Sequence, residues 1–196
     1  MKPFRGMSLF ALSLLLISGC ADKPTQNEPV ASQAKNTEKS TETPKATVPE
    51  SEVKLAESLK TLGAKLKQDQ AGYVIEVDFR GTKIDDAALK EIAGLSHLRS
   101  LLLNETPITD AAFESVGKVT TLENLDLRNC SLNNKAISYL TGLSKLKALR
   151  LSGNSDIDDD AMADINQLTN LKALMLDFLW VSGDGLSQLK DLNKLE

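Results

Sequence analysis

Asp156-Ile157-Asp158-Asp159-Asp160 sets carboxylates at alternate positions, the spacing with which a calcium-binding loop begins. A loop of that kind requires glycine at position 161 and glutamate at 167, where this chain has Ala161 and Gln167. The same carboxylates have a plainer use at the start of a helix, where they accept the first N–H groups and complement the dipole. His97 is the one histidine, and no G-x-S-x-G, C-x-x-C, H-E-x-x-H or phosphate-binding glycine loop accompanies it. It reads as a loop histidine. Gly183-Asp184-Gly185 reads as a degenerate helix start. The sequence therefore offers no catalytic, cofactor-binding or metal-binding residue, and no enzyme is expected.

The elements that position these side chains come from a repeat. Leu98, Leu101, Leu103, Thr106 and Ile108 are followed by Thr109-Asp110 and then by Phe113, Val116 and Val119. The skeleton returns as Leu122, Leu125, Leu127, Cys130 and Leu132, as Leu146, Leu149, Leu151 and Asn154, and as Leu171, Leu174, Leu176, Leu179 and Val181. Val74, Val77, Phe79, Thr82 and Ile84 form an earlier copy. Starts at 74, 98, 122, 146, 171 and 195 give a step of 24 residues four times and 25 once. Within a copy, apolar residues first alternate, which is strand spacing, and then recur every third position, which suits a short helix or 3₁₀ turn.

This pattern resembles the leucine-rich repeat, L-x-x-L-x-L-x-x-N/C-x-L, and the Ile-Thr-Asp that follows the strand resembles the bacterial "ITD" type. The resemblance covers roughly residues 50–196. It implies an α/β solenoid, a right-handed horseshoe arc with a parallel sheet on its concave face and short helices on its convex face. One repeat buries some six apolar side chains at roughly 1.5–3 kcal/mol each, whereas ordering 24 residues costs on the order of 36 kcal/mol. The copies must stack to fold. The ninth position runs Thr82, Thr106, Cys130, Asn154 and Leu179; the first four side chains, small or polar, are expected to sit inside a tight turn and hydrogen-bond its backbone, and Cys130 to be a buried structural thiol. Asp86, Asp110, Asn134 and Asp159 stand where helix N-caps are expected.

The chain is 41% hydrophobic and 26% charged, with a net charge of −4 and no basic block of the kind that binds nucleic acid. Residues 1–19 read as a targeting segment, with Lys2 and Arg5 ahead of an apolar stretch from Met7 to Ile17. Leu16-Ile17-Ser18-Gly19-Cys20 resembles a bacterial lipobox, which implies lipidation of Cys20 and a membrane anchor. The implied location is the cell envelope. In a Gram-negative host, Ala21 after the cysteine suggests the outer membrane, on its periplasmic side or surface. Residues 20–48, rich in Lys, Glu, Thr, Ser and Pro, read as a disordered linker with a reach of roughly 30 Å. Residues 49–73 read as an N-terminal cap: a helix over 49–62 opened by a Thr47-x-x-Glu50 capping box, then an antiparallel hairpin strand that turns at Asp69–Gly72 and covers the first sheet edge. About five repeats fill 74–196. The last repeat shows no cap, so either its end frays or a partner or a second copy covers it.

The remaining functional surface is the sheet face. Register places Asp78, Leu102, Asp126, Arg150 and Met175 in its central column, flanked by Arg80 and Arg128, with Phe178 and Trp180 in the loop after the last strand. These residues are the expected contacts for a protein or peptide partner. Two alternatives stay open at this point: Asp126 and Arg150 neutralising each other across adjacent strands, and the two aromatics closing the end of the core. A structural envelope component, with the repeats as a rigid spacer, is the other reading of the chain.

Overall fold

The computed structural model describes residues 47–196. The targeting segment, Cys20 and the linker up to residue 46 lie outside the described residues. Helix α1 (Glu50–Thr61) is followed by β1 (Lys65–Gln68) and β2 (Val74–Asp78), which pair antiparallel through the turn at Asp69–Gly72. There the Asp69 carboxylate accepts the amides of Ala71 and Tyr73, and Gly72 takes a left-handed φ of 95°. Four more strands follow in parallel order: β3 (Ser100–Leu102), β4 (Asn124–Asp126), β5 (Ala148–Arg150) and β6 (Ala173–Met175). Between them run α2 (Asp86–Lys90), α3 (Phe113–Val116), α4 (Asn134–Ser138) and α5 (Met162–Ile165), with α6 (Gly183–Leu186) last; three of these spans are extended by 3₁₀ turns. The result is an α/β fold of the leucine-rich repeat type, one strand and one short helical segment per repeat. Among the described residues no helix is long and apolar enough to cross a membrane.

The strands are short because only the alternating half of each repeat can lie in a sheet, and the three-residue period that follows turns the chain into a helix. Strand register is the repeat register: Val77, Leu101, Leu125, Leu149 and Leu174 face one another across the sheet. Behind them lie Phe79, Leu103, Leu127 and Leu151, each fully buried, with Leu89, Phe113, Ile137 and Met162 from the helical side. Burial falls off in the last repeat, where Leu174, Leu176, Leu179 and Val181 are only partly covered.

Two local expectations need correction. α1 begins after Pro49 and has no side-chain cap: the Pro49 carbonyl accepts the amides of Glu52 and Val53, so Thr47 and Glu50 form no capping box. The helix is fixed instead by burial of Ala56 and Leu59 and by Glu52, whose buried carboxylate accepts the Ser96 hydroxyl at 2.9 Å. The N-caps of the repeat helices also sit one residue earlier than expected, at Asp85, Thr109, Asn133, Asp158 and Ser182. Each accepts amides from its own first turn. The residues expected to cap, Asp86, Asp110, Asn134 and Asp159, reach instead to the cap of the following repeat. Asp86 accepts the amide and hydroxyl of Thr109, Asp110 the amide and Nδ2 of Asn133, Asn134 the amide of Asp158, and Asp159 the amide and hydroxyl of Ser182.

This ladder of side chains stitches each repeat to the next on the helical side, as the parallel sheet does on the other. Replacing Asp110 by alanine removes two of its bonds at a site water can reach. A loss of about 1 kcal/mol of unfolding free energy is expected in urea titration, with the slope unchanged.

Candidate interaction surface

The side of the sheet away from the core carries the candidate residues. Pairing places Asp78, Leu102, Asp126, Arg150 and Met175 in one column, beside a second column of Glu76, Ser100, Asn124, Ala148 and Ala173. The Asp78 carboxylate is gripped by Arg80, two residues on, with Nε at 2.9 Å and Nη2 at 2.8 Å, and Asp126 by Arg128 at 2.8 and 2.7 Å. These two-point pairs leave the aspartate side chains 9% and 5% exposed and the arginines 49% and 40% exposed, so guanidinium edges are what the face offers a ligand. Arg150 does not pair with Asp126. It donates to Asn124 Oδ1, because Asp126 already has a better-placed arginine two residues on.

The Arg80 guanidinium, by hydrogen bonding, holds the Asp78 carboxyl below its ordinary range, against an upward push from burial. A carboxyl depressed in the folded state contributes stability that is present above its unfolded pKa and lost as pH falls through the folded value. The stability gap between wild type and Asp78→Asn should therefore be present at neutral pH and close as pH drops below about 4. Paired urea titrations across that range measure it, and a gap that widened in acid would contradict the assignment.

The loops leaving the strands form a second row. Gly81, Glu105, Asn129, Gly153 and Phe178 occupy one repeat position and share a left-handed backbone, with φ of 70, 61, 55, 83 and 60°. Two residues on, Lys83, Pro107, Ser131, Ser155 and Trp180 share another position. Phe178 is 86% and Trp180 77% exposed. Neither closes the core. Lys83, Pro107, Ser131 and Ser155 are exposed although a repeat is stacked beyond each of them, and Gly81, Glu105 and Asn129 are exposed likewise. The aromatics thus occupy surface positions of the repeat, and their exposure is not an edge effect. Met175, 41% exposed, lies on the sheet face of the same repeat.

Below this row the ninth-position side chains do what their size and polarity suggest. Thr82 and Thr106 hydroxyls donate to the carbonyls of Phe79 and Leu103, and Cys130 Sγ lies 3.1 Å from the Leu103 carbonyl. Burial pushes the Cys130 thiol up, which keeps it protonated and unreactive. In the Asp156–Asp160 run, Asp158 and Asp159 are used as cap and ladder. Among the described residues no group of three His, Cys, Asp or Glu side chains converges to hold a metal ion. His97 stacks on Tyr73, ring centroids 3.8 Å apart, and its Nδ1 meets the Ser96 hydroxyl.

No family model matches the chain. It is 34% identical over 83 residues to Receptor-like protein 9a of Arabidopsis thaliana, a match covering 41% of this chain and 9% of that protein. Among solved structures it is similar to an internalin (inlF) from Listeria monocytogenes, at 30% identity and a TM-score of 0.49, covering 55% of this chain and 30% of that one. An internalin C2 from the same organism gives 31% identity and a TM-score of 0.47, covering 54% and 43%. The chain thus spans less than half of each of these proteins.

Proposed function

We propose that the chain is a non-catalytic, lipid-anchored extracytoplasmic leucine-rich repeat protein that binds a protein or peptide partner. In this reading the sheet face is the concave side of a horseshoe arc, α1 with β1 is its N-terminal cap, and Cys20 carries the lipid. Met175, Phe178 and Trp180 anchor the partner, with Arg150 and the edges of Arg80 and Arg128 supplying charge.

The observation that carries the reading is Phe178. A bulky residue in the left-handed region costs roughly 1–2 kcal/mol, and this one recovers almost nothing by burial at 86% exposure. Two other repeats place glycine at the same position. Strain held at an exposed aromatic supports a binding role, because exposed aromatics beside a charged face are typical contact anchors.

Phe178→Gly should therefore leave the full-length chain as stable as wild type, or about 1 kcal/mol more so, while it loses the partner captured by crosslinking and pull-down from envelope extract. Arg150→Glu should lose the same partner. An unchanged set of captured proteins in both variants would sink the surface. The anchor is tested separately: a lipid-sized mass increment and detergent-phase partitioning should both vanish in Cys20→Ala.

A further inference from the structure

The other rim of the sheet, where the chain enters each strand, is built from two more repeat rows. Arg99, Glu123, Lys147, Lys172 and Glu196 form the first, held in register by backbone bonds: Glu123 donates to the Arg99 carbonyl at 2.8 Å, Lys147 to Glu123 at 2.7 Å, Lys172 to Lys147 at 2.8 Å, and Glu196 to Lys172 at 2.9 Å. His97, Thr121, Lys145, Asn170 and Lys194 form the second row, two residues earlier. Two surface depressions lie along them and share Glu123 and Lys145, so they join into one trough across the sheet.

Charge in this trough is opposite to that of the chain. Its cations are Arg99, Lys145, Lys147, Lys172 and Lys194, against the anions Glu123 and, at the end of the first row, Glu196, in a protein of net charge −4. Lys147 and Lys172 are about half exposed even while bonded to Glu123 and Glu196, and Lys194 donates to Asn170. Successive strands are about 4.8 Å apart, so ammonium groups recur along the trough at one- or two-strand intervals. The neutral polar residues Thr121, Ser144 and Asn170 line it as well, Thr121 donating to the Leu98 carbonyl and Asn170 to that of Ser144.

We infer that this trough binds a linear anionic polysaccharide. A repeating row of cations interleaved with neutral hydrogen-bonding groups matches a polymer that carries an acidic group and hydroxyls on every unit. An acidic peptide fits less well, because no aliphatic residue lines the trough and its first-row backbone groups are already bonded strand to strand. Single-stranded nucleic acid binding favours open aromatic platforms, and the ring of His97, which lines this rim, is already stacked on Tyr73. The surface lies on the rim opposite Phe178 and is independent of the partner proposed there.

The test titrates the full-length chain with size-defined polygalacturonate, with neutral dextran and poly-L-glutamate as comparisons. Polygalacturonate should bind, and its affinity should fall steeply as salt rises from about 50 to 200 mM; dextran should not bind. Lys145→Gln with Lys194→Gln should weaken binding about tenfold and flatten the salt dependence by about two charges. Glu123→Gln should strengthen it severalfold, a gain that damage to the fold would not produce. Binding no tighter than dextran, or affinity unmoved in these variants, would overturn the inference. Poly-L-glutamate binding as tightly as polygalacturonate would overturn the assignment to a polysaccharide.

Discussion

Replacing Asn154 by alanine should cost this protein about 3–5 kcal/mol of unfolding free energy, although it deletes only a small polar side chain. Asn154 is fully buried. Its Oδ1 accepts the amides of Cys130 and Leu132, both at 3.1 Å, and its Nδ2 donates to the carbonyls of Leu127 at 2.8 Å and Leu151 at 2.6 Å. Three of these four groups belong to the preceding repeat, so one amide group closes two successive turns. Alanine would leave backbone donors and acceptors buried without a partner, each at about 1–3 kcal/mol, less whatever an entering water restores.

Asn154→Thr separates the contributions. Threonine stands at the equivalent position as Thr106, where its hydroxyl donates to the carbonyl three residues back. In the variant the new hydroxyl could do the same toward Leu151 but could not reach the amides of Cys130 and Leu132. Its loss should fall between wild type and alanine. Equal stability of the asparagine and threonine forms in urea titration would mean that the bonds between repeats contribute nothing, and this account of the turn would be wrong.

How far the sequence reveals these arrangements depends on whether the signal is periodic or geometric. The leucines at 101, 125 and 149 announce both strand and register, because a 24-residue step admits one alignment. The helix caps read one residue too late because Asp85-Asp86, Asn133-Asn134 and Asp158-Asp159 offer a competent capping side chain at either position. The last repeat holds the answer: at Ser182-Gly183 only the first residue has a side chain that can cap. Likewise Asp-x-Arg occurs at 78–80 and again at 126–128, a local pairing signal at the strand end that outweighs the cross-strand partner Arg150.

The cationic trough escapes a search for basic blocks. Its residues lie mostly 22 to 25 positions apart in the chain and become neighbours only when the repeats stack. Phe178 is legible as an aromatic in a loop. Its left-handed backbone is not, because glycine, glutamate and asparagine at the same position share no single sequence mark.

Leu125→Ala should produce the largest loss among substitutions of the leucine column. Leu125 lies on β4, flanked in register by Leu101 and Leu149, and is fully buried. Large-to-small changes at such sites cost about 2–5 kcal/mol, through lost transfer energy and the cavity that remains. In a stack of repeats the cavity opens onto both neighbours, so two interfaces weaken together. Leu174, at the same position on β6, is only partly buried and has a described neighbour on one side. Leu174→Ala should cost about 1–2 kcal/mol, in proportion to the smaller area it covers.

The comparison also tests whether the repeats unfold as one unit. If they do, both variants shift the urea midpoint and keep the wild-type slope. A lowered slope or a second transition in Leu125→Ala alone would show that the central repeat couples the two halves, as expected when each repeat holds only its nearest neighbours. Equal losses in the two variants would contradict the argument, since burial and neighbour number would then not set the stability of the stack.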